Sequence, residues 1–197
     1  MKLRGRFVIS AAKPEEFPRS GAPELAVVGR SNVGKSSLIN AIVGAPLART
    51  SRTPGRTRLV NWFEVTAPGG AFFLVDFPGY GYADVPRDVR ESWRPLIEAY
   101  LERRDALAGA LLLVDIRRAI GDDELDFAAW LGERDIPLAV ALTKSDKLAK
   151  HERPLAVTRA RGALELPRDP LAFSIEDPAA IDKLQRALLA MIAEARA

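Results

Sequence analysis

The sequence predicts an α/β fold: a mostly parallel sheet covered by helices on both faces. Three observations predict it. From residue 24 onward, short apolar runs of strand length alternate with stretches of helical periodicity. Only one pair of strands is joined by a connection short enough for a hairpin. The apolar run Leu25–Val28 leads directly into Gly29-Arg30-Ser31-Asn32-Val33-Gly34-Lys35-Ser36, which satisfies G-x-x-x-x-G-K-[ST]. A helix with apolar spacing at Leu38, Ile39 and Ile42 follows. A strand, this loop and a helix in that order form a phosphate-binding unit. Ligands of such sheets sit at the carboxyl ends of the strands.

The elements follow in order. Residues 1–23 hold one strand-like piece, Phe7–Ser10, and a proline-containing connector to Pro23; they are expected to form an N-terminal extension packed on a domain spanning 24–197. The first helix is expected to stop near Gly44. Ala45–Arg58 has no apolar period and contains Pro54 and Gly55, so it reads as a loop. Leu59–Thr66 and Ala71–Asp76 form the hairpin, across Ala67-Pro68-Gly69-Gly70. Phe77–Val85 is a second glycine-rich loop. A helical face carrying Trp93, Leu96, Ile97, Tyr100 and Leu101 comes next, started or kinked by Pro95. Ala110–Asp115 is a buried strand, Asp122–Gly132 a helix and Pro137–Leu142 a strand. Leu155–Leu166 reads as helix, Leu171–Ser174 as a short strand and Ala179–Ala195 as a closing amphipathic helix.

Composition narrows the function classes. A chain of 197 residues with 48% hydrophobic and 28% charged residues suits one substantial globular core. With no cysteine there is neither a disulfide nor a thiolate metal site, which suits a cytoplasmic protein. The apolar run near the N-terminus is too short and too soon interrupted for a secretory leader, and the longest run, Ala106–Val114, is far short of a membrane span. The net charge of +3 is a mild bias toward anionic partners. Of the 29 basic residues 22 are arginine, which suits bidentate phosphate contacts and equally reflects GC-rich coding.

Several loops carry chemistry. Gly29 and Gly34 let the backbone approach a polyphosphate, and successive N–H groups with the helix N-terminus form an anion nest. Lys35 can reach β- and γ-phosphates, and the Ser36 hydroxyl is the expected Mg²⁺ ligand. Asp76-Phe77-Pro78-Gly79 closes a strand. Its carboxylate suits Mg²⁺, directly or through water, and the Gly79 N–H a γ-phosphate; a plain strand-to-loop turn would share the pattern. Thr143-Lys144-Ser145-Asp146 follows another strand. The Asp146 carboxylate can accept both N–H groups of a guanine edge, which adenine does not present, and the Lys144 stem can lie over the base. The Ser174 N–H could reach the guanine O6. The stretch 48–58 carries Arg49, Arg52, Arg56 and Arg58 without an acid, and Thr57 could add a second hydroxyl to Mg²⁺. His151, the only histidine, sits in a polar stretch and reads as solvated. Arg117-Arg118 reads equally as a partner-facing pair and as plain surface.

These loops, in this order, resemble those of the translation-factor-class GTPases of the Ras-like P-loop fold. More narrowly, GRSNVGKSSLIN at 29–40, RTPGRTR at 52–58, DFPGYGYA at 76–83 and TKSDK at 143–147 resemble the EngB (YihA/YsxC) family of bacterial ribosome-biogenesis GTP-binding proteins. The resemblance implies a three-layer domain whose six-stranded, mostly parallel sheet has one antiparallel edge strand. It implies GTP and GDP contacts from Gly29 through Ser36, from Gly55, Arg56, Thr57, Arg58 and Leu59, from Asp76 through Gly79, from Thr143 through Asp146, and from Phe173, Ser174 and Ile175. It implies Mg²⁺ at Ser36 and Thr57, with Asp76 acting through water, and Lys35 as a catalytic group. It further implies a monomer that acts on the large ribosomal subunit or its precursor, away from membranes, with a link to cell division and septation. The chain departs from the family at Ile175, where a small residue is usual.

Many Ras-like GTPases orient the attacking water with a glutamine just after D-x-x-G. Here Tyr80 stands there, and a phenol of ordinary pKa is a poor base, so slow turnover is expected. Arg56 is one candidate for the missing charge. Asn32, whose side-chain oxygen can help bind K⁺ beside the phosphates as the resemblance implies, is another, and loop geometry alone also explains an asparagine at that position. Two rivals remain at this point: an ATP-using P-loop enzyme, which would not need Thr143–Asp146, and a regulatory module that holds nucleotide and hardly hydrolyses it.

Overall fold

Continuous apolar runs along the central strands put hydrophobic side chains on both faces of a sheet, and this sheet is sandwiched accordingly. The structure, a computed structural model, describes residues 3–19, 21–48, 59–80, 97, 99–101 and 104–196. Its strands are β1 (Arg4–Ala11), β2 (Glu24–Gly29), β3 (Val60–Ala67), β4 (Gly70–Asp76), β5 (Leu107–Asp115), β6 (Leu138–Thr143) and β7 (Leu171–Ala172). The main helices are α1 (Lys35–Val43), α2 (Asp122–Gly132), α3 (Arg153–Ala163) and α4 (Pro178–Glu194). Ile97 and 99–101 are also helical. The expected residues Arg49, Arg52, Gly55, Arg56, Thr57, Arg58, Trp93, Pro95 and Leu96 lie outside the described ones.

The strand order is β1-β3-β4-β2-β5-β6-β7, with parallel pairing from β4 through β7. This corrects two expectations. The sheet has seven strands rather than six, because Arg4–Ala11 adds an outer strand antiparallel to β3. The one strand that opposes the rest, β3, is therefore second from the edge rather than at it. The hairpin is also tighter than expected, with Ala67 paired to Gly70 and only Pro68 and Gly69 in the turn. Gly69 at φ +94° supplies the left-handed backbone that this turn needs.

The alternation along β2 sorts the core. Leu25 and Val27 face α1 and α4, packing with Leu38, Ile42, Leu184 and Leu188. Ala26 and Val28 face the other side with Trp62, Phe77, Tyr100 and Leu131. Burying one such side chain stabilises the fold by about 1.5–3 kcal/mol. Helix α4 has the sharpest start: Asp177 accepts hydrogen bonds from the Ala179 and Ala180 N–H groups at 2.9 and 3.3 Å, with Pro178 at the first helical position. Gln185 on its buried face donates to the Ile42 carbonyl at 2.8 Å, satisfying an acceptor that the end of α1 leaves over.

At the end of β2 away from the phosphate-binding loop, Glu24 is fully buried. It accepts from the Tyr100 hydroxyl at 2.7 Å and from Arg104 Nε and Nη2 at 2.9 and 2.6 Å. Arg104 also donates to the Pro18 carbonyl, so one ion pair ties the chain before β2 to the chain before β5.

Candidate functional site

The loops after β2, β4, β5, β6 and β7 leave the sheet at one edge and form the candidate site. The first joins β2 to α1. Asn32 has φ +59° and Gly34 φ +106°, two left-handed residues that turn the chain tightly between β2 and α1. A Cβ on Gly34 would meet nothing within 4 Å, so glycine is required there by backbone angle and not by crowding. Gly29 is the opposite case: a Cβ would come within 2.8 Å of the Leu113 carbonyl oxygen on β5.

Lys35 opens α1 and its Nζ lies 2.5 Å from Asp76 Oδ1 at the end of β4, with the two side chains only 10% and 5% exposed. Ser36 is half-buried beside it. After Asp76 the chain bends over the first loop. The Phe77 N–H donates to the Val27 carbonyl at 3.2 Å, and the Ser31 N–H donates to the Tyr80 carbonyl at 2.8 Å. Phe77 and Pro78 are buried, and a Cβ on Gly79 would stand 2.9 Å from Ser31 Cα, so the two loops lie flush. The Tyr80 hydroxyl donates to Glu124 Oε1 at 3.0 Å. Burial, reinforced by the Glu124 carboxylate, raises the Tyr80 pKa well above a phenol's ordinary value.

The loop after β6 is bolted to the first one. Thr143 Oγ1 donates to the Val33 carbonyl at 2.7 Å. Lys144, at φ +59°, reaches across to donate to the Asn32 carbonyl at 2.7 Å and pairs with Asp115 Oδ2 at 3.0 Å. The Ser145 N–H donates to the Phe173 carbonyl at 3.0 Å, and the Phe173 N–H to the Leu142 carbonyl at 2.8 Å, knitting in the loop after β7. Ser174 Oγ then donates to Asp146 Oδ1 at 2.8 Å, and Lys147 pairs with Oδ2 at 2.9 Å. The Lys147 bond first, and the Ser174 hydroxyl second, lower the Asp146 pKa. The carboxylate is thus anionic at neutral pH, and each oxygen keeps a free lone pair for a ligand donor. Ile175 is 52% exposed beside it. Leu59 is exposed just before the first strand of the hairpin.

Sequence reasoning left Asp115 out of the site. It ends β5, and Arg117 grips it with Nε and Nη2 at 2.9 and 2.7 Å. Burial alone would raise its pKa, but the bonds from Arg117 and Lys144 outweigh that and hold the carboxyl well below the usual range. An acid on the last residue of a central strand, two positions before an arginine pair, was the available signal. Arg30, Ser31, Asn32, Asp115, Arg117 and Lys144 line a cleft of about 240 Å³ beside the first loop. Glu124, buried under Tyr80, was missed as well.

Among the described residues no three acids, histidines or cysteines cluster to hold a metal by themselves. The donor set fits Mg²⁺ nonetheless: a hydroxyl at Ser36 and a buried carboxylate at Asp76 are hard oxygen ligands, and Mg²⁺ is commonly held by one or two such groups plus substrate phosphates and water. Thr57 lies outside the described residues. His151 is exposed in a turn before α3 and belongs to none of this.

Residues 24–144 match the family described as 50S ribosome-binding GTPase. The chain is 48% identical over 170 residues to a probable GTP-binding protein EngB of Pelobacter propionicus, covering 86% of this chain and 84% of that one. It is 46% identical over 168 residues to the protein of the same name from Geobacter sulfurreducens, covering 85% and 80%. A crystal structure of a probable GTP-binding protein engB superposes with TM-score 0.71 at 26% identity, covering 87% of this chain and 99% of that one. Era from Aquifex aeolicus bound to GDP and AlF₄⁻ superposes with TM-score 0.73 at 20% identity over 86% of this chain and 56% of its own, a likeness of fold.

Proposed function

The chain belongs to the EngB family of GTP-binding proteins, which are P-loop GTPases, and from that premise we propose how its residues serve the reaction and what the reaction serves. The protein is a nucleotide-gated switch in assembly of the large ribosomal subunit, linked to cell division and septation. It works in the cytoplasm as a monomer and hydrolyses GTP slowly. No described helix is long and apolar enough to cross a membrane.

The observation that carries the site reading is the pair of bonds from Thr143 and Lys144 to the carbonyls of Val33 and Asn32. They fix the distance between a phosphate-binding loop and a loop holding an anionic Asp146. One ligand with an anionic end and a two-donor edge, a guanine nucleotide, satisfies both. Its base is read by Asp146 over the Lys144 stem, with Phe173, Ser174 and Ile175 closing the edge. Its phosphates are held by the loop from Gly29 through Ser36 and by the Lys35 ammonium. Lys35 exchanges its Asp76 partner for phosphate, and the carboxylate it leaves would hold the metal ion through water. Ser36 and Thr57 would hold Mg²⁺, which would supply neutralisation of phosphate charge. Gly55, Arg56, Thr57, Arg58 and Leu59 cover the phosphates, and the Gly79 N–H receives the γ-phosphate.

Slow turnover follows from Tyr80. Its hydroxyl is spent on Glu124 and its proton is held tightly, so it neither orients water as an amide would nor accepts a proton. Asn32, whose side chain is exposed at the rim of the first loop, would help hold K⁺, which would supply the missing positive charge.

The ribosomal role draws on the family's description as ribosome-binding. Its test is co-sedimentation with purified large subunits and their precursors in GTP, GDP or no nucleotide. Retention in GTP that is lost in GDP and weakens with salt supports a gated, phosphate-contacting surface. Equal retention in GTP and GDP rules out the gate.

A further inference from the structure

We propose that Glu124 is a positioning residue for GTP hydrolysis, acting through Tyr80 on the loop that follows β4; this rests on the reading that Gly79 faces the γ-phosphate. Glu124 is a carboxylate only 2% exposed, on a helix that contributes nothing else to the proposed phosphate contacts. One of its oxygens has an ordinary duty, accepting the Gly121 N–H at 2.9 Å to cap α2. The other accepts the Tyr80 hydroxyl at 3.0 Å.

Tyr80 is the residue immediately after Gly79, and it is held from two sides. Its carbonyl takes the Ser31 N–H of the phosphate-binding loop, while its side chain is held by α2. A second strap runs parallel: Arg30, bridged to Tyr80 through the backbone, lies 3.6 Å from Asp123 in the same helical turn. Gly79 has no slack between these anchors, since even a Cβ there would meet Ser31 Cα at 2.9 Å. The direction of the Gly79 N–H is therefore set by where Tyr80 is tied. Burial and the Glu124 charge keep the phenol protonated, so it is a lasting donor to Glu124 and not a base for water. GDP has no γ-phosphate to use Gly79. Loosening Tyr80 should thus disturb GTP and its hydrolysis while sparing GDP, a split that a general loss of packing would not produce.

The test is a double-mutant cycle on the full chain with Tyr80→Phe, Glu124→Gln and both. The phenyl ring keeps the packing and removes only the hydroxyl. The amide keeps one acceptor oxygen for the Gly121 N–H and can meet the hydroxyl only as a neutral donor, so the charge-assisted bond is lost. GDP affinity, GTP affinity and single-turnover hydrolysis are measured for each variant. Each single change is expected to lower the hydrolysis rate, and GTP affinity relative to GDP, by about tenfold, the weight of one hydrogen bond to a charged group. The double variant should be no worse than the worse single. If Glu124→Gln loses GDP binding through misfolding, Tyr80→Phe decides alone. An unchanged rate and GTP-to-GDP ratio in Tyr80→Phe, or losses that multiply in the double variant, overturn the proposal. Failure of the unaltered protein to prefer GTP over ATP would instead overturn the reading of the site beneath it.

Discussion

Replacing Thr143 by valine removes one hydroxyl and almost no volume, and it tests the joint between the two halves of the site. Thr143 is 3% exposed, and its hydroxyl donates to the Val33 carbonyl at 2.7 Å with a longer contact to the Val114 carbonyl at 3.2 Å. Removing the donor leaves the buried Val33 carbonyl without its partner, which costs about 1–3 kcal/mol. The central expectation is about 2 kcal/mol of stability. For a domain of this size, that corresponds to a fall in Tm of about 4–8 °C. Thr143→Ser keeps the hydroxyl and loses a methyl, so it should cost roughly half as much. Urea unfolding with and without saturating GDP measures both the stability and the linkage to nucleotide. Because the same joint sets the spacing from phosphate to base, Thr143→Val should also weaken GDP binding by about tenfold beyond the loss seen in Thr143→Ser. A midpoint unchanged within about 0.5 kcal/mol, with GDP affinity intact, would refute the view that this bond spaces the site.

Other outcomes follow from the same geometry. Glu24→Ala leaves the half-buried Arg104 and the buried Tyr100 hydroxyl without their carboxylate and should destabilise the fold by about 3 kcal/mol, read by urea unfolding, with little change in the nucleotide affinity of the fraction that stays folded. Asp115 has a carboxyl pKa lowered by folding, so its contribution to stability is complete above the ordinary carboxylate range and drains away as pH falls below it. The stability gap between the native chain and Asp115→Asn should accordingly narrow from about pH 6 to about pH 3, and a constant gap would disconnect the two. GTP hydrolysis should be faster in K⁺ than in Na⁺ at matched ionic strength, with Asn32→Ala abolishing the difference; indifference to the cation removes Asn32 from catalysis.

The parts of the fold legible in the sequence are those whose signal is local. The strand, phosphate-binding loop and first helix announce themselves because the backbone there demands Gly34 and the apolar period changes within a few residues. Helix α2 shows its limits through three acids in its first turn and an apolar face. The outer strand was legible only as Phe7–Ser10, because a bulge between Phe7 and Ile9 breaks its alternation and most of its side chains are not buried. What stayed hidden depends on partners distant in the chain. Glu24 looks like a surface acid until Tyr100 and Arg104 arrive to satisfy it. Asp115 and Glu124 look like strand-end and helix-start acids until Lys144 and Tyr80 fold onto them. Ser174 was expected to offer its N–H to a base, and the structure adds a hydroxyl that holds Asp146 in place.

The most direct test of the central claim, that one guanine nucleotide bridges the phosphate-binding loop and Asp146, is a titration of the unaltered chain and of Asp146→Asn with GTP, ATP and xanthosine triphosphate. The anionic Asp146 predicts that the unaltered chain prefers GTP over ATP by about 10⁴-fold, because adenine leaves the carboxylate unpaired. Asp146→Asn, which puts an amide donor where guanine also has one, should turn the preference toward the xanthine nucleotide while the phosphate contacts remain. Equal affinity of the unaltered chain for GTP and ATP would contradict the account.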